Sequence, residues 1–268
     1  MTTERPGQGA TEHPVRAVAG NTRRHTGGQH LGRASGQPAT RAVLFDIDGT
    51  LVSAGPLGAE VFDRAIEAVT GQAPPLRVSM SGKTDPQIVR EYMEAMHLDV
   101  AAHLSSVLAR LEHELALAGP ELPSMGRTLP GVVALLEALA EDRRFHLSVL
   151  TGNIAPNAAV KLGAFGLDRW LDLETGAYGS DSERRTELVP IALRRLASLR
   201  GAHLEPQHAW VVGDTPRDLD AARVGGARCV LVATGRFGLT ELERLEPDAV
   251  LADLSDTQQV VKLLSDGL

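Results

Sequence analysis

The chain has 268 residues, a formal net charge of −7, a hydrophobic fraction of 43% and one cysteine. This length allows one large α/β domain, or a core with a smaller inserted domain. No apolar run reaches the roughly 18 residues of a membrane span, and no lysine/arginine stripe indicates nucleic-acid binding. One cysteine excludes a disulfide within the chain and fits a reducing compartment. We therefore expect a cytoplasmic protein without nucleic-acid or membrane partners.

Residues 1–40 differ in composition from the rest of the chain. They contain no aromatic residue, show no periodicity, and carry five arginines against Glu4 and Glu12. Such a segment cannot bury enough apolar surface to offset the entropy lost on ordering. It also lacks the apolar run of a secretory signal and the amphipathic pattern of a transit peptide. The sequence therefore predicts a disordered N-terminal extension over 1–40.

From residue 41 onward, short apolar runs alternate with segments of helical periodicity. The predicted strands are Ala42–Asp46, His146–Leu150, Ala209–Val212, Arg228–Val232 and Ala249–Leu251. The predicted helices between them are Gly131–Glu141, Ala155–Phe165, Glu187–Leu199 and Leu219–Val224. This alternation predicts an α/β fold with a doubly wound, mainly parallel sheet.

The spacing of these elements is uneven. About a hundred residues separate the first two strands, far more than a strand–helix–strand crossover needs. Helical patterns fill this interval at Leu57–Thr70, Pro86–Met96 and Val100–Ala118. We therefore expect a helical domain at 57–127, inserted into a core formed by 41–56 and 128–268.

Two carboxylates follow the first predicted strand directly. Asp46 and Asp48 are spaced i, i+2, which places them on the same face while the chain stays extended. Gly49 then lets the backbone turn away from the sheet edge. Two acids at the carboxyl edge of a parallel sheet suit a hard cation together with a nucleophile. An ordinary turn after a buried strand is the alternative, because Asp-Gly is a common turn dipeptide.

Two other strands also end in polar groups. Thr151-Gly152-Asn153 follows the second long strand, and the start of the next helix can donate backbone N–H groups to an anion. Asp214 and Asp218 follow the fourth strand at i, i+4, with Pro216 placed to begin a helix. Asp214 at the strand edge and Asp218 in the first helical turn can together complete a Mg²⁺ site. Asp218 can bind the metal directly, act through water, or cap the helix.

A cation is also expected near these carboxylates, to hold the nucleophile. Lys161 lies within a predicted helix, so the candidates are Arg184 and Arg185, just before the next helix. Arg185 is preferred to Arg184 on the family resemblance given below, by its offset from Asp181 and Leu188. In the inserted domain, Lys83 follows a glycine before a predicted helix and is a candidate for binding an anionic group of a substrate, with a flexible surface turn as the alternative.

The run Asp-x-Asp-Gly-Thr-Leu resembles motif I of the haloacid dehalogenase-like phosphohydrolases, and the segments after the second and fourth strands resemble motifs II and IV. The resemblance covers roughly residues 41–250, and the Gly-Lys-Thr-Asp run at 82–85 looks like that of phosphoglycolate phosphatase-like members with a helical cap. It implies Asp46 as nucleophile and Asp48 as acid/base. Thr151, Gly152, Asn153 and Arg185 would then bind the phosphoryl group. Mg²⁺ would be held by Asp46, the backbone carbonyl of Asp48, Asp214 and Asp218.

The expected activity is the Mg²⁺-dependent hydrolysis of a small phosphorylated metabolite through an aspartyl-phosphate. A phosphosugar mutase and a non-catalytic regulatory or binding protein on the same fold are the alternatives. A dehalogenase is disfavoured because Asp48 is present. The sequence does not distinguish a monomer from a homodimer.

Overall fold

The computed structural model describes residues 40–266, which belong to one compact unit. The first 39 residues of the predicted extension lie outside the described residues. The strands are β1 (Arg41–Phe45), β2 (Val52–Ser53), β3 (Arg127–Thr128), β4 (Phe145–Val149), β5 (Ala209–Gly213), β6 (Arg228–Val232) and β7 (Ala249–Leu251). Five of them form one parallel sheet in the order β4-β1-β5-β6-β7. The expected α/β fold class is thereby confirmed.

The first strand lies in the interior of this sheet. Val43 pairs with Leu147 of β4 on one side and with Trp210 of β5 on the other. Val43 and Phe45 pack into one apolar cluster, while Leu44 packs into a second cluster on the opposite face. Because both faces of the strand are covered, β1 is a continuous apolar run rather than an alternating one.

Ten α-helices are present among the described residues. They are α1 (Leu57–Thr70), α2 (Asp85–Ala95), α3 (Val100–Ala118), α4 (Leu122–Met125), α5 (Val132–Glu141), α6 (Ala155–Ala164), α7 (Leu188–Arg200), α8 (Pro216–Gly225), α9 (Leu239–Glu243) and α10 (Thr257–Asp266). Within the described part of the chain, no helix is long and apolar enough to cross a membrane.

Helices α1–α4 lie between β2 and β3 and have an apolar core of their own. The largest fully buried members of that core include Tyr92, Met93 and Leu111. The two short strands β2 and β3 pair antiparallel, with Val52 opposite Thr128. This ribbon brings both ends of the insertion together. The helical insertion, called the cap below, thus interrupts the core without separating β1 from the rest of the sheet.

The carboxyl ends of β1, β4, β5 and β6 meet at one edge of the sheet, because these strands are parallel neighbours. In open α/β sheets this edge is where ligand sites form. Every segment in which the sequence predicts a site residue of the core lies at or beside this edge.

Candidate active site

Asp46 is the first residue after β1, and it is buried, with 4% of its surface exposed. Its backbone N–H donates to the carbonyl of Val212 at 2.9 Å, which extends the ladder between β1 and β5 by one residue. The carboxylate turns toward Arg185, whose Nη2 lies 2.8 Å from Asp46 Oδ1. The strand ladder therefore holds the backbone of Asp46, and a buried guanidinium holds its side chain.

Arg185 connects two carboxylates at this edge. It begins a 3₁₀ turn, Arg185–Glu187, directly before α7, and its Nη2 also lies 2.6 Å from Asp218 Oδ1. Burial opposes its charge, but Asp218 and Asp46 hold the pKa of Arg185 well above its ordinary value. Arg184 points the other way, with 80% of its side chain exposed. Of the two arginines considered from the sequence, Arg185 is the one beside Asp46.

Asp214 follows β5 and lies within a tight backbone enclosure. A Cβ at Gly235, in the loop after β6, would lie 1.7 Å from Asp214 Oδ2. Gly49 has φ +88° and approaches the same carboxylate, so the turn after Asp48 also packs against it. Thr50 donates a long hydrogen bond of 3.4 Å to Asp214 Oδ1. Backbone packing thus holds Asp214 beside Asp46, and among the described residues the carboxylate of Asp214 accepts few hydrogen bonds.

Asp46, Asp214 and Asp218 together form an acidic cluster suited to a cation. One carboxylate oxygen of each lies within 4.8 Å of the others, and all three residues are buried. Oxygen ligands of this kind suit Mg²⁺, which is bound through a small number of carboxylates and keeps several waters. The donor set therefore fits the metal that the sequence resemblance implies.

Asp218 has a second set of contacts that Asp46 and Asp214 lack. Thr215 caps α8, and its backbone N–H and hydroxyl donate to Asp218 Oδ2 at 3.0 and 2.7 Å. The other oxygen accepts from Arg185 at 2.6 Å. Both oxygens of Asp218 already accept hydrogen bonds, which suits a residue that positions Arg185 at least as well as a direct metal ligand.

Burial and mutual repulsion dominate the electrostatics of the cluster. Burial, opposed by Arg185 and reinforced by Asp218, raises the pKa of Asp46 to about 6. Burial, together with Asp218 and Asp46, raises the pKa of Asp214 to about 8. Both shifts have the same cause, since charged carboxylates are unfavourable when they are buried side by side. A divalent cation would offset this unfavourable energy by compensating the negative charge.

Asp48 faces a different set of groups. Its Oδ2 accepts from Lys161 Nζ at 2.6 Å and from Asn153 Nδ2 at 2.8 Å. Asn153 also donates to Thr151 Oγ1 at 2.9 Å, and its own Oδ1 accepts from Lys161. Asp46 is thus paired with Arg185 and Asp48 with Lys161, although the two acids are two residues apart and border the same cavity. The side chain of Asp48 lies outside the acidic cluster described above.

The first residue of α2, Asp85, joins the cap to this network. Its Oδ2 accepts from the backbone N–H of Ile154 at 2.8 Å, and its own N–H donates to the carbonyl of Gly152 at 2.7 Å. Burial raises the pKa of Asp85 to about 6, against the opposing effect of Lys161. A Cβ at Gly152 would lie 2.0 Å from the carbonyl oxygen of Lys83. The cap loop and the loop after β4 are therefore in direct backbone contact.

A cavity of about 350 Å³ lies between cap and core and is lined by residues of both. Its polar wall includes Asp46, Asp48, Thr151 and Asp214, and its cap wall includes Lys83 and apolar side chains such as Phe62. The Lys83 amine is paired with Glu91 of α2. The volume is at the small end of the range for ligand sites, which indicates a small ligand.

The family model of haloacid dehalogenase-like hydrolases matches residues 40–226. The chain belongs to this family. The phosphoglycolate phosphatase of Rhodospirillum rubrum is 31% identical over 202 residues, covering 73% of this chain and 80% of the relative. The phosphoglycolate phosphatase of Cupriavidus necator is 28% identical over 215 residues, covering 80% and 89%. The expected family, and an enzyme of the phosphatase type, are confirmed.

A structural neighbour shows the same fold. The structure of CbbY from Rhodobacter sphaeroides, solved in complex with phosphate, superposes with a TM-score of 0.60 at 20% identity. The match covers 81% of this chain and 96% of that structure. The haloacid dehalogenase-like fold therefore extends over both the core and the cap of this hydrolase.

Three charged side chains of the hydrolase's cavity were not predicted from the sequence, namely Lys161, Asp85 and Arg236. Lys161 lies inside α6, and its position in a helix gave no indication that it reaches the cavity. Asp85 stood beside the predicted Lys83 but was assigned no role. Nothing in the sequence pattern indicated Arg236. Each of them reaches the site from an element that is distant from motif I in the chain.

Proposed function

We propose that this protein is a Mg²⁺-dependent phosphatase that hydrolyses a small phosphate monoester through an aspartyl-phosphate. One observation carries the proposal: Asp46, Asp214 and Asp218 form a buried acidic cluster with Arg185. Asp46, Asp214 and Arg185 also line the cavity, together with Asp48 and Thr151. Phosphoryl transfer to a carboxylate needs a nucleophile, a cation and donors to the phosphoryl oxygens, and these residues offer a candidate for each or a place to hold it.

In the proposed first step, a carboxylate oxygen of Asp46 attacks phosphorus and forms the acyl-phosphate bond while the bond from phosphorus to the ester oxygen breaks. Asp48, in its protonated form, gives its proton to the departing alcohol oxygen. In the second step, Asp48 takes a proton from water, whose oxygen attacks phosphorus and releases the Asp46 carboxylate. Both acids border the cavity, and Asp46 is buried while Asp48 is partly exposed.

The remaining site residues would hold the phosphoryl group. Arg185 can donate to its oxygens from beside Asp46, and Thr151 has a hydroxyl hydrogen available because its oxygen accepts from Asn153. Gly152 and Asn153 border the cavity with Thr151. When bound, Mg²⁺ would neutralise phosphoryl charge, held by Asp46 and Asp214, with the backbone carbonyl of Asp48 as a further proposed ligand. We assign Asp218 chiefly to positioning Arg185.

The proposed substrate is a small phosphorylated metabolite that carries additional negative charge. Two relatives are named phosphoglycolate phosphatase, and a third, from Halalkalibacterium halodurans, is named pyrophosphatase PpaX and is 25% identical over 230 residues. The small cavity and the presence of Lys83 on its wall support this class. Its proposed site of action is the cytoplasm, which agrees with the single buried cysteine.

Phosphate release from a panel of monoesters and from pyrophosphate, with Mg²⁺ and with EDTA, tests the proposal. We expect metal-dependent release by the wild type and a loss of about 10⁴-fold or more in Asp46→Asn, because the nucleophile is removed. Asp220→Asn is the matched control, since Asp220 is an exposed acid on α8, and it should retain activity. Failure of the wild type to hydrolyse any member of the panel, despite a folded protein, would contradict the proposal.

A further inference from the structure

The loop after β6, residues 233–238, brings a cationic side chain to the cavity from the core side. Thr234 donates to the carbonyl of Gly49 at 2.6 Å, and Gly235 packs directly against Asp214. These two contacts anchor the loop beside the acidic cluster. The next residue, Arg236, lines the cavity, and its Nη1 donates to Ser79 Oγ of the cap at 3.2 Å.

Four cationic side chains line this cavity among the described residues, and they differ in how their charge is compensated. Arg185 is paired with Asp46 and Asp218, Lys161 with Asp48, and Lys83 with Glu91. For Arg236, the contact that the described part of the chain provides is the neutral hydroxyl of Ser79. Arg236 is thus exposed and lines the cavity without a carboxylate partner from residues 40–266.

Lys83 is less available to a ligand than its position suggests. Its amine is paired with Glu91, which also accepts from Gln87 Nε2 at 3.3 Å. Just 11% of the Lys83 side chain is exposed. A substrate anion would have to displace Glu91 from this lysine, whereas it can bind Arg236 by replacing one weak contact to a hydroxyl.

We infer that Arg236 is a specificity-determining residue that binds a second anionic group of the substrate, while Asp46 attacks the phosphate. This inference rests on the proposed function and deepens it. A guanidinium presents a planar pair of N–H donors that matches the two oxygens of a carboxylate, and it also matches a second phosphate. Because Arg236 contacts Ser79, the anion would bind where core and cap meet. A phosphate monoester without a second anionic group has no charge to pair with Arg236 there.

Matched substrates separate this role from general catalysis. We compare kcat/KM for phosphoglycolate, which carries a carboxylate, with that for 2-hydroxyethyl phosphate, which is similar in size and lacks the second charge. For Arg236→Gln we expect the ratio of the two values to fall about tenfold or more, as the loss of a charge-assisted bidentate contact predicts. Ethane-1,2-diyl bisphosphate tests whether a second phosphate is preferred to a carboxylate.

Arg184→Gln is the charge-matched control, because Arg184 is exposed and lies outside this cavity. It should leave the ratio at the wild-type value. An equal fall on both esters in Arg236→Gln would overturn the inference, since it would show a general effect on the site. A ratio that is unchanged in Arg236→Gln but collapses in Lys83→Gln would overturn it in favour of the cap lysine.

A binding measurement keeps the inference distinct from the proposed function. Calorimetric titration compares 3-phosphonopropionate, a non-hydrolysable analogue with a carboxylate, with propylphosphonate, which has none. The wild type should bind the former at least tenfold more tightly, and Arg236→Gln should remove that preference. Absence of any phosphatase activity would contradict the proposed function alone. Equal preference in the wild type and the variant would contradict the assignment of Arg236 alone.

Discussion

Lys161 Nζ lies 2.6 Å from Asp48 Oδ2, although the two residues are separated by 113 positions in the chain. Lys161 is buried on α6, and Asn153 lies between it and Thr151 in the same hydrogen-bond network. Lys161 lies within a helix, where the sequence does not predict a site residue, and yet it contacts the proposed acid/base. The network holds Asp48 in one orientation, apart from the acidic cluster around Asp46.

Replacing Lys161 should therefore impair the proposed reaction without removing a group that reacts. For Lys161→Met we expect kcat/KM to fall about 10- to 100-fold, because general acid–base catalysis contributes roughly 10²–10⁴-fold and Asp48 itself remains. Steady-state phosphate release measures the effect. Lys262→Met, at an exposed position of α10, is the control and should retain wild-type kinetics. Full activity in Lys161→Met would show that the contact has no role in catalysis.

Metal binding should stabilise the fold. The fold brings Asp46, Asp214 and Asp218 close together, and the unfolded chain has no such cluster. A metal ion that binds the native state alone therefore raises the free energy of unfolding. At a Mg²⁺ concentration of about 100 Kd the increase is about 2.7 kcal/mol. Thermal unfolding with Mg²⁺ and with EDTA measures it. Asp214→Asn should abolish the Mg²⁺-dependent rise in Tm, whereas Asp220→Asn should retain it. An equal rise in Asp214→Asn would place the ion elsewhere.

Asp85 should make stability depend on pH. Burial raises its pKa to about 6 from an ordinary value of 3.8, so the native state binds more protons than the unfolded state between these values. The free energy of unfolding should consequently fall as pH rises from about 4 to 7, with a contribution from Asp85 of up to about 3 kcal/mol. At pH values below both pKa values Asp85 is protonated in both states and this destabilisation is absent. At pH values above both it has its full size.

Asp85→Asn should remove this contribution and keep an oxygen that accepts from Ile154. We expect the difference in free energy of unfolding between pH 4 and pH 7 to become smaller than in the wild type, measured by urea unfolding at both pH values. Asp46 and Asp214 act in the same direction, so the comparison of variant with wild type isolates Asp85. Glu112→Gln, an exposed acid on α3, should leave the difference unchanged. An unaltered difference in Asp85→Asn would contradict the prediction.

Gly152 should tolerate no side chain. Its Cβ would lie 2.0 Å from the carbonyl oxygen of Lys83, which is backbone and cannot rotate away. We expect Gly152→Ala to lower the free energy of unfolding by about 1–3 kcal/mol and kcat/KM by at least about tenfold, because the cap loop must shift. Gly163→Ala on α6 is the control. Its nearest neighbour would be Asp168 Oδ2 at 4.0 Å, so alanine should stabilise the helix by up to about 1 kcal/mol.

The secondary structure of the core was largely predictable because local pattern determines it. The predicted bounds of β6 and β7 agree with the structure, and α1 and α3 of the cap also begin and end where predicted. The ribbon of β2 and β3 was missed, since strands of two residues are too short to show a period. Helices α9 and α10 were not predicted either, although α10 has clear amphipathic spacing at its apolar positions.

The sequence by itself determined which carboxylates and hydroxyls end the strands, because parallel strands present their carboxyl ends at one edge whatever the packing around them. Asp46, Asp48, Thr151 and Asp214 follow from that rule. The sequence also favoured Arg185 as a cation for this site, whereas only the tertiary structure brought in the other two cations of the core. Lys161 reaches the cavity from α6, where it contacts Asp48. Arg236 reaches it from the loop after β6, where Gly235 packs against Asp214. Local spacing in the sequence indicates neither contact. Tertiary packing, rather than chain proximity, sets the charge balance of this site.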